Sequence, residues 1–285
     1  MQKQMRILAV VMTGLLLSAA TAAGATAADR VYKVKKHASL TYIAGEKVDR
    51  YRHRLDVYQP VGVKDAPVLM FVHGGAWRFG SKAFHPNIGN TFARRGIVTV
   101  SINYRLTPRV KHPEHVRDVA RAFAWIKKNI TNYGGNPKRV FLCGHSAGAH
   151  LVALLATNEK YLGEAGHKTD AIAGVIAVSG PYRVRSGGLF AGVFPRELVD
   201  DASPALHVDD AQPPFLVMYA QHDMHMLDVL ARDFARRLKK HSSPVTLLEV
   251  KARDHSSIIR LIGIQNDPAT EAMLKFVATH AKAGT

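Results

Sequence analysis

One stretch of the chain decides its fold: Val140-Phe141-Leu142-Cys143-Gly144-His145-Ser146-Ala147-Gly148-Ala149-His150-Leu151. Its first four residues are apolar and predict a buried strand, and the residues from 149 to 156, rich in Ala and Leu, predict a helix. Between them lies a G-x-S-x-G pattern centred on Ser146. A serine on such a sharp strand-to-helix turn has strained backbone angles, so its neighbours must be small. We expect the turn to hold the Ser146 hydroxyl over the helix N-terminus, where negative charge is stabilised, and therefore interpret Ser146 as a nucleophile.

Length and composition are typical of one α/β domain with a sizeable core. The chain has 285 residues, of which 47% are hydrophobic and 21% are charged. Its net charge is +17, but the basic residues are scattered and match no nucleic-acid-binding motif. We therefore expect no nucleic-acid partner and interpret the charge as a solvated surface attracted to anionic surfaces or substrates. The one cysteine, Cys143, excludes an intrachain disulfide and is interpreted as a small buried apolar residue.

The first 27 residues have the pattern of a bacterial signal peptide. Two basic residues precede a short apolar run at 7–17, and a tract of small residues ends in Ala25-Thr26-Ala27, a suitable cleavage site. The apolar run is too short for an ordinary spanning helix, although an uncleaved anchor is the alternative. We expect residues 28–285 to form a single domain that is periplasmic or secreted and has no membrane span.

Segments typical of strands and helices alternate along the rest of the chain. We predict strands at residues 38–43, 54–59, 68–72, 97–102, 140–143, 171–178, 214–220 and 245–250. We predict helices at residues 88–95, 113–130, 149–156, 226–240 and 268–281. This alternation predicts an α/β fold in which helices cover both faces of a mostly parallel sheet, with an antiparallel hairpin at one edge. The irregular residues 182–207 predict a small cap or loop insertion.

Two glycines follow the predicted strand at 68–72, in the sequence His73-Gly74-Gly75-Ala76-Trp77. Active sites of parallel sheets lie at the carboxyl ends of their strands, and backbone amides without a nearby Cβ can approach a reacting oxygen. We expect the amides of Gly75, Ala76 and Ala147 to form an oxyanion hole, with Gly74 as a further candidate. A plain Gly-Gly turn is the alternative.

An acid and a base follow two later strands. Asp223 comes after the strand at 214–220 and is preferred to an aspartate inside the next helix. His255 follows the last strand, from which it can reach Ser146, whereas His222 and His225 lie too close in sequence to Asp223 to take this role. These assignments predict a catalytic triad in the chain order serine, aspartate, histidine. The sequence has no metal-ligand spacing, so we expect neither a metal nor a cofactor.

Further stretches accompany these residues: Asp56-Val57-Tyr58-Gln59-Pro60, Gly80-Ser81-Lys82, Asn103-Tyr104-Arg105-Leu106, Asp118 with Ala122 and Trp125, Tyr133-Gly134-Gly135-Asn136-Pro137 and Ala202-Ser203-Pro204. Together they resemble the α/β-hydrolase superfamily, specifically carboxylesterases close to hormone-sensitive lipase and the feruloyl/acetylxylan esterase and kynurenine formamidase branches. The resemblance covers nearly all of the chain from Leu55 onward. It implies a serine carboxylesterase that forms an acyl-enzyme on a small-molecule or carbohydrate-linked ester.

The chain departs from these relatives in two ways that concern the substrate. Ala76 stands where lipase-type relatives have a third glycine, but its amide remains. Little chain is available for a long N-terminal cap, which favours small or polar esters. Trp77 is interpreted either as a pocket wall or as a core residue, and Tyr182 as a second lining candidate. Arg105 and Asp118 are interpreted as structural partners of each other.

Two alternative functions stay open. The stretch around Ser146 also resembles arylformamidases, although a secretory signal argues against their cytoplasmic substrate. A non-catalytic binding module of the same fold is the second alternative, but such proteins usually lack a member of the triad. His145 and His150, which flank the serine, are interpreted as structural or pocket-lining residues.

Overall fold

An eight-stranded sheet forms the centre of this computed structural model, which describes residues 31–45 and 48–281. The strands are β1 (Val34–Thr41), β2 (Arg54–Pro60), β3 (Ala66–Val72), β4 (Val98–Ile102), β5 (Gly135–His145), β6 (Gly174–Val178), β7 (Phe215–His222) and β8 (Val245–Asp254). They lie in the order β1-β2-β4-β3-β5-β6-β7-β8. The pairs β1/β2 and β2/β4 are antiparallel, and all other pairs are parallel. The predicted sheet, with its antiparallel hairpin at one edge, is therefore confirmed.

Helices follow the strands as the alternation predicts. They are α1 (Pro86–Arg94), α2 (Glu114–Asn129), α3 (Ala147–Thr157), α4 (Glu159–Glu164), α5 (Leu227–Lys240), α6 (Ser257–Arg260) and α7 (Pro268–His280). The sequence does not predict α4 and α6, because helices of 6 and 4 residues are too short to show a periodic apolar pattern. Strand β5 is longer than the predicted 140–143, since its polar first half still pairs with β3 through Gly135 and Ala66.

Helices cover both faces of the sheet, and alternate residues of the strand β3 pack against the helices on opposite faces. Val68, Met70 and Val72 belong to the same apolar cluster as residues of α2, α3 and α5. Leu69 and Phe71 point the other way, into a cluster with residues of α1, α6 and α7. Successive side chains of a strand face opposite sides of the sheet, so a strand covered on both faces has a continuous apolar sequence.

The predicted signal peptide, residues 1–27, lies outside the described residues. Residues 182–207 contain, besides loop, three short 3-10 helices at Gly188–Phe190, Arg196–Leu198 and Pro204–Leu206. In the described part of the chain, no helix is both long and apolar enough to cross a membrane. Cys143 is buried as expected, and its burial raises the pKa of the thiol.

A buried ion pair joins the loop after β4 to α2, as the sequence analysis expected. The Arg105 side chain donates to both carboxylate oxygens of Asp118, at 2.8 and 2.7 Å. Asp118 is fully buried, and it also accepts a hydrogen bond from His53 Nε2 at 3.2 Å. Burial alone would raise the pKa of Asp118, but the bonds from His53 and Arg105 outweigh it and hold the pKa well below its ordinary range.

We expect Asp118→Asn to lower the free energy of unfolding at neutral pH by about 3 kcal/mol, because it removes one member of a buried pair. A carboxyl group whose pKa is depressed by folding stabilises the protein above its unfolded pKa and loses that contribution as the pH falls. The difference in the free energy of unfolding between wild type and variant should therefore become smaller below about pH 4. Urea unfolding of both proteins at pH 7, 5 and 3.5 measures this difference. A difference in unfolding free energy that does not change with pH would contradict this account.

The turn between β5 and α3 lies very close to β3. A Cβ atom on Gly148 would lie 2.0 Å from the carbonyl oxygen of Val72, and one on Gly144 would lie 2.3 Å from the carbonyl oxygen of Gly148. Both contacts are with backbone, which cannot move aside as a flexible side chain can. The two outer glycines of the G-x-S-x-G pattern are therefore required by packing.

We expect Gly148→Ala to lower the free energy of unfolding by more than about 2 kcal/mol, because the added methyl group overlaps the β3 backbone. Gly163→Ala is the matched control: Gly163 lies in α4 with no atom within 4 Å of the added Cβ. That change should stabilise the protein slightly or have no effect. Thermal and urea unfolding compare the two variants, and equal stabilities would refute the packing argument.

Candidate active site

Ser146 occupies the sharp turn between β5 and α3. Its backbone angles are φ 54° and ψ −118°, a conformation that side chains rarely adopt. The turn is held from both sides: the Ser146 amide donates to the carbonyl of Val178 at 2.9 Å, and its carbonyl accepts from the His150 amide at 3.1 Å. The serine side chain is thereby presented at the carboxyl edge of the sheet, above the start of α3.

The structure brings Ser146, His255 and Asp223 into one chain of hydrogen bonds. His255 Nε2 lies 3.0 Å from Ser146 Oγ, and His255 Nδ1 lies 2.7 Å from Asp223 Oδ1. Asp223 directly follows β7 and His255 directly follows β8, as predicted. An imidazole held by a carboxylate in this way can accept the hydroxyl proton while the serine attacks an electrophile.

Asp223 is held by more than the histidine. Its Oδ2 accepts from the Ser179 hydroxyl at 2.6 Å and from the Ala220 amide at 3.0 Å, and its Oδ1 also accepts from the Met224 amide at 2.8 Å. Burial would raise the pKa of Asp223, but the hydrogen bonds from His255 and Ser179 outweigh it and lower the pKa. The carboxylate therefore stays charged and fixed in orientation.

Ser179 is a site residue that the sequence analysis missed. It follows β6 in the Ser179-Gly180-Pro181 break, at the same sheet edge as the other groups. Its φ of 53° and full burial fix its hydroxyl toward Asp223. The sequence does carry a signal for Ser179, because it is a polar residue directly after a parallel strand, as Asp223 and His255 are.

His145 holds the backbone of His255. Its Nε2 donates to the His255 carbonyl at 2.8 Å, and the two rings lie 4.7 Å apart. Burial lowers the pKa of His145 to about 3, so this imidazole is neutral at physiological pH. The residue is thus positional, as expected of a neighbour of the serine. His222 and His225 are exposed, and the hydrogen-bonded chain does not include them.

The loop after β3 presents its backbone to the same region. Gly75, Ala76 and Trp77 all have positive φ, at 118°, 51° and 58°. The Gly75 carbonyl accepts from the amides of Arg78 and Phe79, at 3.0 and 2.8 Å. Because the amide and carbonyl of a trans peptide point in opposite directions, the Ala76 N–H points away from this turn. Gly74, Gly75 and Ala76 line the same cavity as Ser146, and Ala147 begins α3 beside it.

Comparison with curated proteins finds esterases, and one family model matches the chain. The chain matches the BD-FAE family model over residues 55–186. It is 33% identical to Esterase LipC of Mycobacterium tuberculosis over 247 residues, which cover 78% of this chain and 61% of that protein. It is 28% identical to the probable isoprenylcysteine alpha-carbonyl methylesterase ICMEL1 of Arabidopsis thaliana, covering 74% of this chain and 50% of that protein. The chain therefore spans between about half and three fifths of these relatives.

Solved structures share the fold. A truncated form of a carbohydrate esterase from gut microbiota superposes with a TM-score of 0.76 at 20% identity, covering 90% of this chain and 99% of that one. The carboxylesterase EstE1 from a metagenomic library superposes with a TM-score of 0.70 at 21% identity, covering 90% of both chains. The chain belongs to the α/β-hydrolase superfamily. This confirms the family and fold predicted from the sequence, and the esterase relatives fit the branch close to hormone-sensitive lipase.

A cavity of about 1310 Å³ opens over Ser146 in this α/β-hydrolase. Residues from five segments line it: the stretch from the loop after β3 to the start of α1, the turn at 145–146, the residues 181–190, the residues 224–230 around the start of α5 and the residues 255–260 around α6. Phe79 and Phe84 at this cavity are 69% and 71% exposed. The opening is therefore large and has bulky apolar side chains, which a small polar substrate would not need.

The structure separates the two predicted lining residues of the α/β-hydrolase. Trp77 lines the cavity and is also almost fully buried, against His150 and Phe194, so both interpretations of it hold in part. Tyr182 does not line the cavity: its ring stacks on Phe234 at 4.4 Å, and its hydroxyl donates to a strand carbonyl. The prediction for Tyr182 is wrong, because the chain turns at Pro181 and directs this ring into the core.

In this α/β-hydrolase, we expect the hydrogen bond from Ser179 to Asp223 to support the reactivity of Ser146. We expect Ser179→Ala to slow the reaction of Ser146 with a fluorophosphonate by about 3- to 10-fold, because Asp223 loses a hydrogen bond that orients it. Ser101→Ala is the matched control, since the Ser101 hydroxyl is buried in β4 and has no hydrogen-bond partner among the described residues. The labelling rate followed by mass spectrometry tests this. Equal rates in the two variants would show that Ser179 does not support Asp223.

Proposed function

We propose that this chain is a serine carboxylesterase that hydrolyses carboxylic esters through an acyl-enzyme. The observation that carries the proposal is the hydrogen-bonded chain from Ser146 through His255 to Asp223, which opens into a cavity. Its esterase relatives support the same activity. Ser146, His255 and Asp223 are proposed as the catalytic triad.

In the first step, His255 Nε2 takes the Ser146 proton and Oγ attacks the ester carbonyl carbon. Asp223 remains charged and stabilises the imidazolium that forms at His255. The tetrahedral intermediate carries a negative charge on the former carbonyl oxygen. We assign the amides of Gly75, Ala76 and Ala147 to that oxygen, with Gly74 as a further candidate, because amides aimed at the developing charge lower the barrier.

Collapse of the intermediate breaks the bond between the carbonyl carbon and the alcohol oxygen. The imidazolium of His255 gives its proton to the departing alcohol, and the acyl group stays on Ser146. A water molecule then enters, His255 takes one of its protons, and the resulting hydroxide attacks the acyl carbon. Release of the acid returns the proton to Ser146. No step requires a metal or a cofactor.

The sequence favours small or polar esters, but the cavity leads us to propose a wider substrate class. Phe79, Phe84 and Met224, all of which line the opening, are exposed by 69%, 71% and 47%. Exposed apolar groups around a concave site are suited to a bulky apolar acyl or alcohol group. Carbohydrate-linked esters of aromatic acids combine such a group with a polar one.

We also propose that residues 1–27 are a signal peptide and that residues 28–285 act as one periplasmic or secreted domain. This rests on the basic start, the short apolar run and the small-residue tract of the sequence. The cap or loop of the proposed domain is 182–207.

We expect Ser146→Ala to reduce hydrolysis of 4-nitrophenyl butyrate by about 10³-fold or more, because the variant lacks the hydroxyl group that forms the acyl-enzyme. The variant should retain the far-UV circular dichroism and unfolding midpoint of the wild type. Steady-state kinetics on both proteins, with Ser101→Ala as the serine control, measures the effect. Retained turnover in Ser146→Ala would overturn the assignment of the nucleophile.

Two additional measurements separate this proposal from the alternatives. Covalent labelling of wild type but not of Ser146→Ala by a fluorophosphonate is expected, and absence of labelling in wild type would favour a non-catalytic binding module. Comparing the butyrate ester with an N-formyl aryl amide addresses the arylformamidase alternative. A value of kcat/KM that is higher for the formamide would replace the esterase proposal.

A further inference from the structure

Three arginines line the cavity over Ser146: Arg183, Arg185 and Arg260. Among the described residues that line it, no side chain is acidic. The general positive charge of the chain does not require this arrangement, because 22 acidic residues are available along the sequence. The wall is therefore more strongly cationic than the chain average.

Arg183 and Arg185 are held in place by their neighbours. Both are exposed, while Tyr182 and Val184 on either side of Arg183 are buried. The Val184 amide donates to the Ser203 hydroxyl at 3.1 Å, and the Tyr182 carbonyl accepts a hydrogen bond from Ala205 at 2.9 Å. The segment is thus anchored at its buried residues, and the exposed arginines lie on either side of the buried Val184.

The two guanidinium groups are available to a ligand. Within residues 31–45 and 48–281, neither Arg183 nor Arg185 has an ion-pair or hydrogen-bond partner for its side chain. Other arginines of the chain differ: Arg105 and Arg117, for example, pair with carboxylates at 2.7 to 2.8 Å. A pair of unpartnered guanidinium groups that line the same cavity as Ser146 is suited to a carboxylate or a phosphate.

Arg260 adds a third positive charge on another wall. It ends α6, five residues beyond His255, and its backbone carbonyl accepts from the Asn87 side chain at 3.3 Å. Its charge contributes to the lowered pKa of the exposed carboxyl group of Asp254, which is not a lining residue; hydrogen bonds from Ser257 and Ser256 are the larger causes of that shift. Arg260 is therefore partly compensated, and Arg183 and Arg185 are the stronger candidates for a ligand.

We propose that this esterase prefers esters that carry an anionic group together with a bulky apolar group, and that Arg183 and Arg185 bind the anion. The inference rests on the proposed function. The apolar part would lie against the exposed phenylalanines Phe79 and Phe84, which line the same cavity. Arg183 and Arg185 are then specificity residues: they bind the substrate away from the reacting atoms and lower KM for anionic esters.

The test compares esters that differ only in one charge. In the acyl series, 4-nitrophenyl hydrogen suberate is compared with its methyl ester. In the alcohol series, 4-(butanoyloxy)benzoate is compared with its methyl ester. For each pair, the ratio of kcat/KM for the anionic ester to kcat/KM for the neutral ester is measured in wild type and variants. Comparing these ratios between proteins removes the intrinsic reactivity of each ester.

We expect the ratio to fall by about fivefold or more in Arg183→Gln/Arg185→Gln for at least one series, mainly through KM. The series that responds identifies whether the anion belongs to the acyl or the alcohol side. Raising the salt concentration from 20 to 500 mM should lower the wild-type ratio and leave that of the double variant nearly unchanged, because exposed charges are screened.

Arg95→Gln/Arg196→Gln is the matched control. Both of these arginines are exposed and lie outside the cavity lining, and Arg196 belongs to the same 182–207 region. This variant removes the same net charge, so a fall in its ratio equal to that of the cavity variant would assign the effect to overall charge and overturn the proposal. Ratios that stay within twofold of wild type in both series of the cavity variant would overturn it as well.

Failure of this inference is distinguishable from failure of the proposed function. If neutral esters are hydrolysed only when Ser146 is present but the charge ratios do not depend on Arg183 and Arg185, the esterase proposal stands and the anion site is refuted. If Ser146→Ala retains turnover of the neutral esters, the esterase proposal itself fails.

Discussion

The close approach of the turn after β5 to the backbone of β3 is the constraint on which the rest of the site depends. At Gly148, at the start of α3, there is no room for a side chain beside the Val72 carbonyl. Gly74 lies close to the serine turn, because a Cβ atom on Gly74 would lie 3.1 Å from the Cβ atom of Ser146. Both loops can meet only because these positions lack side chains. Their contact sets the serine beside the backbone amides that follow β3, at the edge where β7 and β8 deliver Asp223 and His255.

The histidines near this edge of the sheet have different roles, and their burial and hydrogen-bond partners show which role each has. His73, His145 and His150 are buried, and desolvation lowers the pKa of each to about 3, so they stay neutral and act through hydrogen bonds or packing. His255 differs from these three in its partner, because its Nδ1 donates to the carboxylate of Asp223, which lies in a network of four donors. Among these four histidines, only His255 has a carboxylate partner, whereas the other three bond to backbone carbonyl groups.

Much of the fold and the proposed triad followed from local pattern. Apolar runs such as 68–72 marked strands covered on both faces, and polar groups directly after strands pointed to Asp223 and His255. Ser179 obeys the same rule but was missed, since a Ser-Gly-Pro sequence is equally typical of an ordinary turn. Tyr182 was misplaced for a related reason: sequence shows that a ring follows the break but does not show which way the chain turns, and packing against Phe234 decides that.

The sequence by itself determined the alternation of strands and helices, the strained serine turn and the order of serine, aspartate and histidine, because each depends on residues close together along the chain. The tertiary structure alone decided which groups surround the site. Ser146 and His255 are 109 positions apart in the sequence, and only the parallel sheet brings Oγ and Nε2 to within 3.0 Å of each other. The 182–207 region likewise meets the loop after β3 only in the folded chain. The shape and the positive charge of the cavity depend on these distant contacts, which no local pattern records.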